Sequence, residues 1–275
     1  MDMIADNPYK DLYIYYLAGR INSDNGIFGS EFIGNWQEDN FSFLFFKTPS
    51  GKKIEEILSA HPGLTLIDNY QMTYEEWQGE MPFPLNIGRF VITTPWELSD
   101  NTGKGIKIIL DPGVVFGTGT HPTTHDCIEA LEIAFSNENI ELAVDLGTGT
   151  GVLSIASAYL GAKKILAADI NYLAVSTARR NFSLNGMQDR ILPVQGLAQD
   201  YIELPADLLI ANIHNDIMKV LIRSEGFLNK KCFVLSGLLK SEAKEIDFQL
   251  SKLPVKIIQR WECNGIWHTF FGKTL

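Results

Sequence analysis

The sequence contains few cysteines, and their arrangement supports neither a disulfide framework nor a metal site. Among its 275 residues are only Cys127, Cys232 and Cys263, and there is no Cys-x-x-Cys pair. An odd number of scattered cysteines argues against both a disulfide scaffold and a cysteine-rich zinc site. His121 and His125 would share a helix face, but neither a third ligand nor a His-Glu-x-x-His motif accompanies them. We therefore expect no metal centre and a reducing, cytoplasmic location.

Long apolar runs and long basic runs are also missing. No stretch approaches the roughly 20 apolar residues of a membrane-spanning helix. The acidic N-terminus, MDMIADNPYK, lacks the apolar centre of a signal peptide. The formal net charge is −10, so the summed field repels nucleic acid and anionic membrane surfaces and favours a basic partner. We expect neither direct nucleic-acid binding nor membrane association.

The first part of the chain has the pattern of a small α+β domain. Hydrophobic residues make up 45% and charged residues 20% of the chain, enough for one large domain or two smaller ones. Residues 50–63 have apolar side chains at helical spacing, with Ser50 as a possible cap and Pro62-Gly63 as a stop. The predicted strands are DLYIYYLA, FSFLFF, LTLID and GRFVITTPW. These elements predict a domain over residues 1–96, and the polar, turn-rich ELSDNTGKG begins a connecting segment over 97–110.

From residue 111 to 275, strand and helix patterns alternate. The strands are continuous apolar runs, among them ELAVDLG, KILAADI, RILPVQG, ADLLIANI and CFVLSG. This pattern is typical of a parallel sheet that is covered by helices on both faces. Two closing strands, near 255–261 and 266–272, have no helix between them, so we expect them to pair antiparallel at one edge. The predicted fold is an α/β, Rossmann-like sheet with an antiparallel edge.

The sharpest motif is DLGTGTG, residues 145–151. A strand ends at Asp145, and Gly147, Gly149 and Gly151 allow a tight turn and close approach of a ligand before a helix begins. Asp169 ends the next strand, where doubly wound sheets bind a ribose diol. The spacing is Gly-x-Gly-x-Gly rather than the dinucleotide pattern Gly-x-Gly-x-x-Gly. We therefore favour S-adenosylmethionine, with Asp145 near its ammonium group, over a nicotinamide dinucleotide or a turn that binds no ligand.

A polar residue, Asn212, ends the apolar strand ADLLIANI. Ligands of open α/β sheets bind at the carboxyl ends of the strands. The Asn212 carbonyl oxygen can orient an amine nucleophile and stabilise the positive charge that grows on it during methyl transfer. The alternative is that Asn212 only caps the following helix.

The segment DPGVVFGTGTHPTTHDCIEAL, residues 111–131, is rich in glycine and threonine just before a predicted helix. One interpretation is a lid or cradle for a small ligand, since the glycines allow bending and the threonine hydroxyls can donate or accept hydrogen bonds. The other is a surface loop that only leads into the helix. In that case Thr120 or His121 lies near the cap and Pro122 lies in the first turn.

With these motifs taken together, the chain resembles the class I S-adenosylmethionine-dependent methyltransferases. It is most similar to the PrmA family, the methyltransferases of the eleventh protein of the large ribosomal subunit. The resemblance covers roughly residues 87–240 and rests on the segment above together with DLGTGTG, LGAKKILAADI, ANI and LSGLL. It implies a ferredoxin-like N-terminal domain for substrate recognition, and N-methylation of Lys side chains or the α-amine of that ribosomal protein.

The motifs and the resemblance together give a set of expected site residues. The catalytic residue is Asn212, and the residues expected to bind or enclose the cofactor are Phe116, Gly117, Thr118, Gly119, Thr124, Asp145, Gly147, Gly149, Gly151, Asp169 and Asn212. The sequence departs from the family where QGLAQD replaces the usual Gly-Asp-Leu, and the adenine contact from that acid is left unassigned. His214 replaces the leucine of the family's usual ANIL and is either a proton acceptor or, as we favour, a solvated residue at a helix start. Other substrates, and a cofactor-binding module without turnover, remain alternatives.

Overall fold

The structure is a computed structural model that describes residues 6–22, 26–79, 82–97 and 105–275. The chain divides into two compact units, one of residues 1–81 with 171–173, the other of 82–170 with 174–275. This division differs from the expected boundary near residue 97. Residues that were expected to end the first domain or to connect the domains form a small sheet in the second unit, and Phe90 and Ile108 of that sheet are fully buried. Residues 98–104 of the expected connecting segment lie outside the described residues.

The first unit is a four-stranded antiparallel sheet with helices after its third and fourth strands. The sheet order is β2-β3-β1-β4, and every neighbouring pair is antiparallel. Its elements are β1 (Asp11–Ala18), β2 (Phe32–Glu38), β3 (Phe41–Phe46), α1 (Gly51–Ala60), β4 (Thr65–Thr73) and α2 (Tyr74–Gln78). The α+β class is confirmed. Ser50 is the N-cap of α1, as expected, but its side chain makes no capping hydrogen bond.

The first unit departs from the ferredoxin-like β-α-β-β-α-β pattern in one element. Between β1 and β2, the described residues 19–22 and 26–31 contain no helix. Instead, Ile21 and Phe28 are buried in the core of the sheet, and the Ser42 and Asn35 side chains bind backbone groups of Gly19 and Ile21. Apolar anchors and side-chain hydrogen bonds thus hold the connection in the absence of a crossover helix.

The second unit begins with a three-stranded sheet, order β5-β6-β7. The strands β5 (Leu85–Ile87) and β6 (Phe90–Thr93) are antiparallel, and β7 (Ile106–Ile109) pairs parallel to β6. The chain then passes through residues 110–121 into the long helix α3 (Pro122–Asn137).

The larger sheet has seven strands in the order β10-β9-β8-β11-β12-β14-β13. The first five are parallel. The closing strands β13 and β14 pair antiparallel, as the sequence predicts, and β14 is also antiparallel to β12. The elements are β8 (Leu142–Leu146), α4 (Val152–Leu160), β9 (Lys164–Asp169), α5 (Tyr172–Leu184), β10 (Ile191–Gln195), α6 (Ala198–Tyr201), β11 (Leu208–Asn212), α7 (Asn215–Arg223), α8 (Glu225–Leu228), β12 (Cys232–Leu239), α9 (Lys240–Leu250), β13 (Val255–Cys263) and β14 (Trp267–Thr274).

Both faces of this sheet are buried. Ala143 of β8 packs into a core with α3 and α4, and the next residue, Val144, packs into a core with α7 and α9 on the opposite face. The strand order reverses between β8, which leads on to β9, and β11 on its other side. Ligands of open α/β sheets bind at the carboxyl ends of strands at such a reversal, which here are the ends that carry Asp145 and Asn212. Among the described helices, none combines the length and the apolar character that crossing a membrane requires.

Candidate functional site

The glycine-rich turn after β8 lies against the end of β9. Gly147 N donates to Ala168 O at 2.8 Å, and Gly149 N donates to Asp169 Oδ2 at 3.0 Å. Gly149 has φ +55°, and a Cβ there would lie 2.7 Å from Phe116 O. A side chain at position 149 would therefore push the turn away from the segment that contains Phe116.

Gly151 is explained by packing. It is the N-cap of α4 in the left-handed conformation, and a Cβ there would collide with the Phe182 ring of α5. Its glycine therefore allows α4 and α5 to approach each other closely. The sequence analysis expected Gly151 to bind the cofactor. In the structure, Gly151 packs against α5.

Asp145 is a buried carboxylate at the carboxyl end of β8, with 1% of its surface exposed. Thr148 Oγ1 and Ser154 Oγ each donate to Asp145 Oδ2 at 2.7 Å. Asp145 Oδ1 has no hydrogen-bond partner within the described part of the chain. Burial raises the pKa of Asp145 to about 6, against the lowering effect of the Ser154 and Thr148 hydrogen bonds. A buried acceptor without a partner is costly, so a donor or cation placed at Oδ1 would be strongly favoured.

The segment before α3 contacts the glycine-rich turn. Thr150 N donates to Phe116 O at 3.2 Å, and Thr150 Oγ1 donates to Gly117 O at 2.6 Å. The Phe116 side chain is 56% exposed. The structure thus brings Phe116 and Gly117 to the same place as Gly147, Gly149 and Asp145, as the sequence analysis expected of a cradle.

The next two residues, Thr118 and Gly119, contact parts of the protein other than the glycine-rich turn. Thr118 is buried, and its Oγ1 is 2.8 Å from Thr120 Oγ1. A Cβ at Gly119 would lie 2.9 Å from Ile92 Cδ1, so Gly119 packs on the three-stranded sheet. Thr118 and Gly119 therefore support the segment by packing.

The same segment also forms the entry to α3. His121 is the N-cap, and its Nδ1 accepts from Thr123 N at 3.3 Å, with Pro122 as the first helical residue. Burial lowers the pKa of His121, which favours the neutral ring that this acceptor role requires. Thr124 Oγ1 is buried without a hydrogen-bond partner among the described residues. The segment is therefore both a helix entry and one side of the site.

Asn212 does not cap α7. The N-cap of α7 is His214, which is exposed and makes no side-chain capping bond, in agreement with the solvated helix-start interpretation. Asn212 Nδ2 instead donates to Thr123 Oγ1 at 3.3 Å. Asn212 Oδ1 lies 3.0 Å from the position that a Cβ of Gly237 would occupy. Thr123 thus fixes the amide, and the absence of a side chain at Gly237 leaves space beside its oxygen.

A cavity of about 460 Å³ opens beside Asn212. Its lining combines aromatic, apolar and polar side chains: Phe116, His121, Thr123, Asn212, Ile213, His214, Gly237, Leu239, Glu242 and Trp267. The His121 ring centroid is 5.2 Å from that of Phe116 and 4.8 Å from that of Trp267, so three rings form one wall.

Sequence reasoning missed Thr123, Glu242 and Trp267 as members of this site. The threonine pair at 123–124 and the position of Glu242 in the first turn after a strand were available signals. Trp267 comes from β14, whose antiparallel return brings it to the cavity, and no local pattern predicts that approach.

A family model described as ribosomal protein L11 methyltransferase (PrmA) matches residues 58–274. A ribosomal protein L11 methyltransferase of Thermoanaerobacter sp. is 40% identical over 193 residues, which is 69% of this chain and 61% of that protein. One of Carboxydothermus hydrogenoformans is 38% identical over 185 residues, 66% of this chain and 60% of that protein. The chain thus spans about three fifths of the length of these relatives.

Among solved structures, a ribosomal protein L11 methylase from Lactobacillus delbrueckii subsp. bulgaricus superimposes with a TM-score of 0.58 at 26% identity. The superposition covers 68% of this chain and 96% of that one.

Proposed function

Because the chain belongs to the ribosomal protein L11 methyltransferase (PrmA) family, we propose that it is an S-adenosylmethionine-dependent protein methyltransferase. Its proposed reaction is N-methylation of Lys side chains or the α-amine of the large-subunit ribosomal protein L11. The observation that carries the proposal is the buried Asp145 Oδ1, which lacks a partner among the described residues. It lies where the strand order reverses, beside a glycine-rich turn whose Thr148 binds the same carboxylate. The cavity lined by Asn212 opens at the carboxyl end of the neighbouring strand β11.

The residues around the turn fit the cofactor. Asp145 Oδ1 is an acceptor suited to the ammonium group, and we assign Asp169, at the end of β9, to the ribose hydroxyls. We assign further contacts to Gly147, Gly149, Phe116, Gly117, Thr124 and Asn212. We assign Gly119, Gly151 and Thr118 a supporting role: they pack against the protein and maintain the conformation of segment 111–119 and turn 147–151. When bound, S-adenosylmethionine supplies a methyl group activated by its sulfonium.

The protein's own residues orient the nucleophile. A free Lys amine has a pKa near 10.4 and must arrive uncharged. With its Nδ2 committed to Thr123, Asn212 presents Oδ1 as an acceptor that holds the amine and stabilises the positive charge developing on it. The aromatic wall and Leu239 suit the apolar stem of a lysine. Positioning of this kind supplies much of the acceleration for a reaction that needs little acid catalysis.

The proposed partner is a basic protein. The net charge of −10 favours such a partner, and Glu242 adds a carboxylate to the cavity lining. We assign recognition of that protein to the N-terminal unit, without contacts to nucleic acid or membrane, and we place the reaction in the cytoplasm, where ribosomes are found.

The test is incubation of the full chain with isotopically labelled S-adenosylmethionine and ribosomal extract, followed by mass spectrometry of the proteins. We expect the label on lysines or the α-amine of L11, and its loss in Asp169→Ala. Label on a different protein would overturn the substrate assignment. Tight binding of S-adenosylmethionine in calorimetry without any labelled product would indicate a non-catalytic module, and preference for NAD would overturn the cofactor.

A further inference from the structure

Asn181 of α5 and Asn185, which directly follows the last residue of α5, hold the chain that leads into the segment before α3. Asn181 is fully buried. Its Oδ1 accepts from Asp111 N at 2.8 Å, and its Nδ2 donates to Asp111 O at 3.1 Å and to Thr150 O at 2.9 Å. The amide is thereby saturated on both donor positions by two different loops.

Asn185 makes a parallel set of contacts one turn later. Its Oδ1 accepts from Ile109 N at 3.0 Å, and its Nδ2 donates to Ile109 O at 2.7 Å and to Asn181 O at 2.8 Å. Residues two apart in an extended chain direct their N–H and C=O groups to the same side. Residues four apart in a helix lie on the same face. The two amides therefore take the place of a neighbouring strand along the open edge of β7.

The two asparagines differ in one contact, and that contact matters for the site. Asn181 reaches the glycine-rich turn through Thr150 O, whereas Asn185 binds β7 and its own helix. Thr150 in turn binds Phe116 O and Gly117 O. The segment 111–119 and the turn 147–151 are thus joined through Thr150, and Asn181 binds both the first residue of the segment and the turn.

Neighbouring contacts keep that first residue in place. Arg180 Nε lies 3.2 Å from Asp111 Oδ2, and Gly113 N donates to Asp111 Oδ1 at 3.0 Å. These contacts fix the position and direction of the chain at Asp111, and the chain continues from there to Phe116 and Gly117.

We propose that Asn181 is a positioning residue of the cofactor site: its amide sets the relative placement of segment 111–119 and turn 147–151 and thereby the affinity for S-adenosylmethionine. This inference rests on the proposed function for the identity of the ligand. Loss of the amide leaves Asp111 N, Asp111 O and Thr150 O without this partner, which is costly for buried groups. Segment 111–119 and turn 147–151 also lose the contact that fixes their relative position.

The test compares Asn181→Ala with its matched control, Asn185→Ala, in the full chain. Each substitution removes an amide that makes three hydrogen bonds to backbone groups. We expect both variants to melt at lower temperature. In calorimetry, Asn181→Ala should bind S-adenosylmethionine about tenfold more weakly than Asn185→Ala, as expected for the loss of one or two net hydrogen bonds.

Kinetics separates positioning from general destabilisation. We expect Asn181→Ala to raise the KM for S-adenosylmethionine while kcat at saturating cofactor stays close to that of Asn185→Ala. Equal losses of affinity in the two variants would overturn the inference. If Asn181→Ala does not fold, Asn181→Asp serves instead, because it keeps the volume and the acceptor for Asp111 N and loses both donated bonds. It is expected to show the same rise in KM.

A ligand-free measurement distinguishes failure of this inference from failure of the proposed function. Hydrogen exchange should become faster in both 111–119 and 147–151 in Asn181→Ala, and only around 106–110 in Asn185→Ala. If the wild-type chain binds no S-adenosylmethionine and this exchange pattern is found, the proposed function fails while the coupling of the two loops is supported. Exchange that is unchanged in turn 147–151 of Asn181→Ala overturns the coupling itself.

Discussion

The seven-stranded sheet of the second unit has a cavity at each end of its strands, and the two cavities differ in what lines them. At the carboxyl ends, about 460 Å³ is bordered by Asn212, three aromatic rings and a glycine. At the amino ends of β8, β9 and β10, about 530 Å³ is bordered mainly by aliphatic side chains, including the exposed Leu142, Leu192 and Leu204. The larger cavity is the one without the predicted site residues.

The difference shows which features indicate chemistry in this fold. Two buried polar atoms lack partners in the described chain near the carboxyl ends of the strands: Asp145 Oδ1 at the end of β8, and Thr124 Oγ1, which follows Thr123 of the cavity lining. Among the described residues, none that lines either cavity carries such an atom. Volume alone does not distinguish the two ends, whereas the polar strand-end residues Asp145 and Asn212 at the reversal of strand order do.

The largest expected effect tests the catalytic side of this comparison. Asn212→Ala should lower turnover about 100-fold, because it removes an oxygen aimed at developing charge, and should change cofactor affinity less. Single-turnover rates and calorimetry measure the two quantities separately. Asn212→Asp retains an acceptor and should keep more activity than Asn212→Ala. Normal turnover in Asn212→Ala would contradict a catalytic role and would leave Asn212 with only a structural role, as the hydrogen-bond partner of Thr123.

The second effect concerns cofactor affinity. Asp169→Ala should weaken S-adenosylmethionine binding by roughly 1.5–3 kcal/mol, the range for a hydrogen bond to a charged group. The matched control is Asp189→Ala, an acid at the amino-end cavity, which should bind the cofactor like the wild type. Calorimetry on both variants provides the comparison, and equal affinities would remove the ribose assignment.

A third effect is pH dependence from Asp145. Its pKa in the folded chain is about 6, above the unfolded value of about 3.9. The folded state therefore holds the proton more tightly, and this group lowers stability as pH rises from about 4 to about 6, by an amount on the order of 3 kcal/mol. An ammonium ligand favours the ionised form, so cofactor affinity should increase over the same window. Calorimetry across pH should show this rise, and Asp145→Asn should flatten it.

The smallest effect is expected at the amino-end cavity. Leu192 is 60% exposed, so Leu192→Ala should change stability by no more than about 0.5 kcal/mol, as is usual for surface substitutions. Cofactor affinity and turnover should stay at wild-type values. A clear loss of either in this variant would contradict the division of roles between the two ends of the sheet.

Much of the second unit follows from sequence because its signals are local. Apolar runs that alternate with amphipathic helices predicted β8 to β14, and strand-end polar residues predicted that Asp145, Asp169 and Asn212 meet at one edge. The strand β2 was missed because it contains Gly34 and Asn35, which are poor strand formers. The division after residue 81 differs from the expected boundary near residue 97 because β6 pairs with β7, and composition carries no information on that pairing.

Within the site, sequence also could not tell which part of the protein each glycine of the motif approaches. Gly149 and Gly151 belong to one motif, yet a Cβ at the first would meet the backbone of Phe116, and at the second the ring of Phe182. That distinction depends on which helix and loop pack on each side of the turn, and these come from residues more than thirty positions away.

The two amides along β7 have a consequence beyond the site. A strand at the margin of a sheet offers unpaired backbone groups to other chains, and proteins usually block such margins with charge, proline or a covering element. In β7 and the residue that follows it by two, Asn185 and Asn181 occupy those groups. Substituting both would expose a template for intermolecular strand addition, and we expect such a chain to self-associate at concentrations at which the natural sequence stays dispersed.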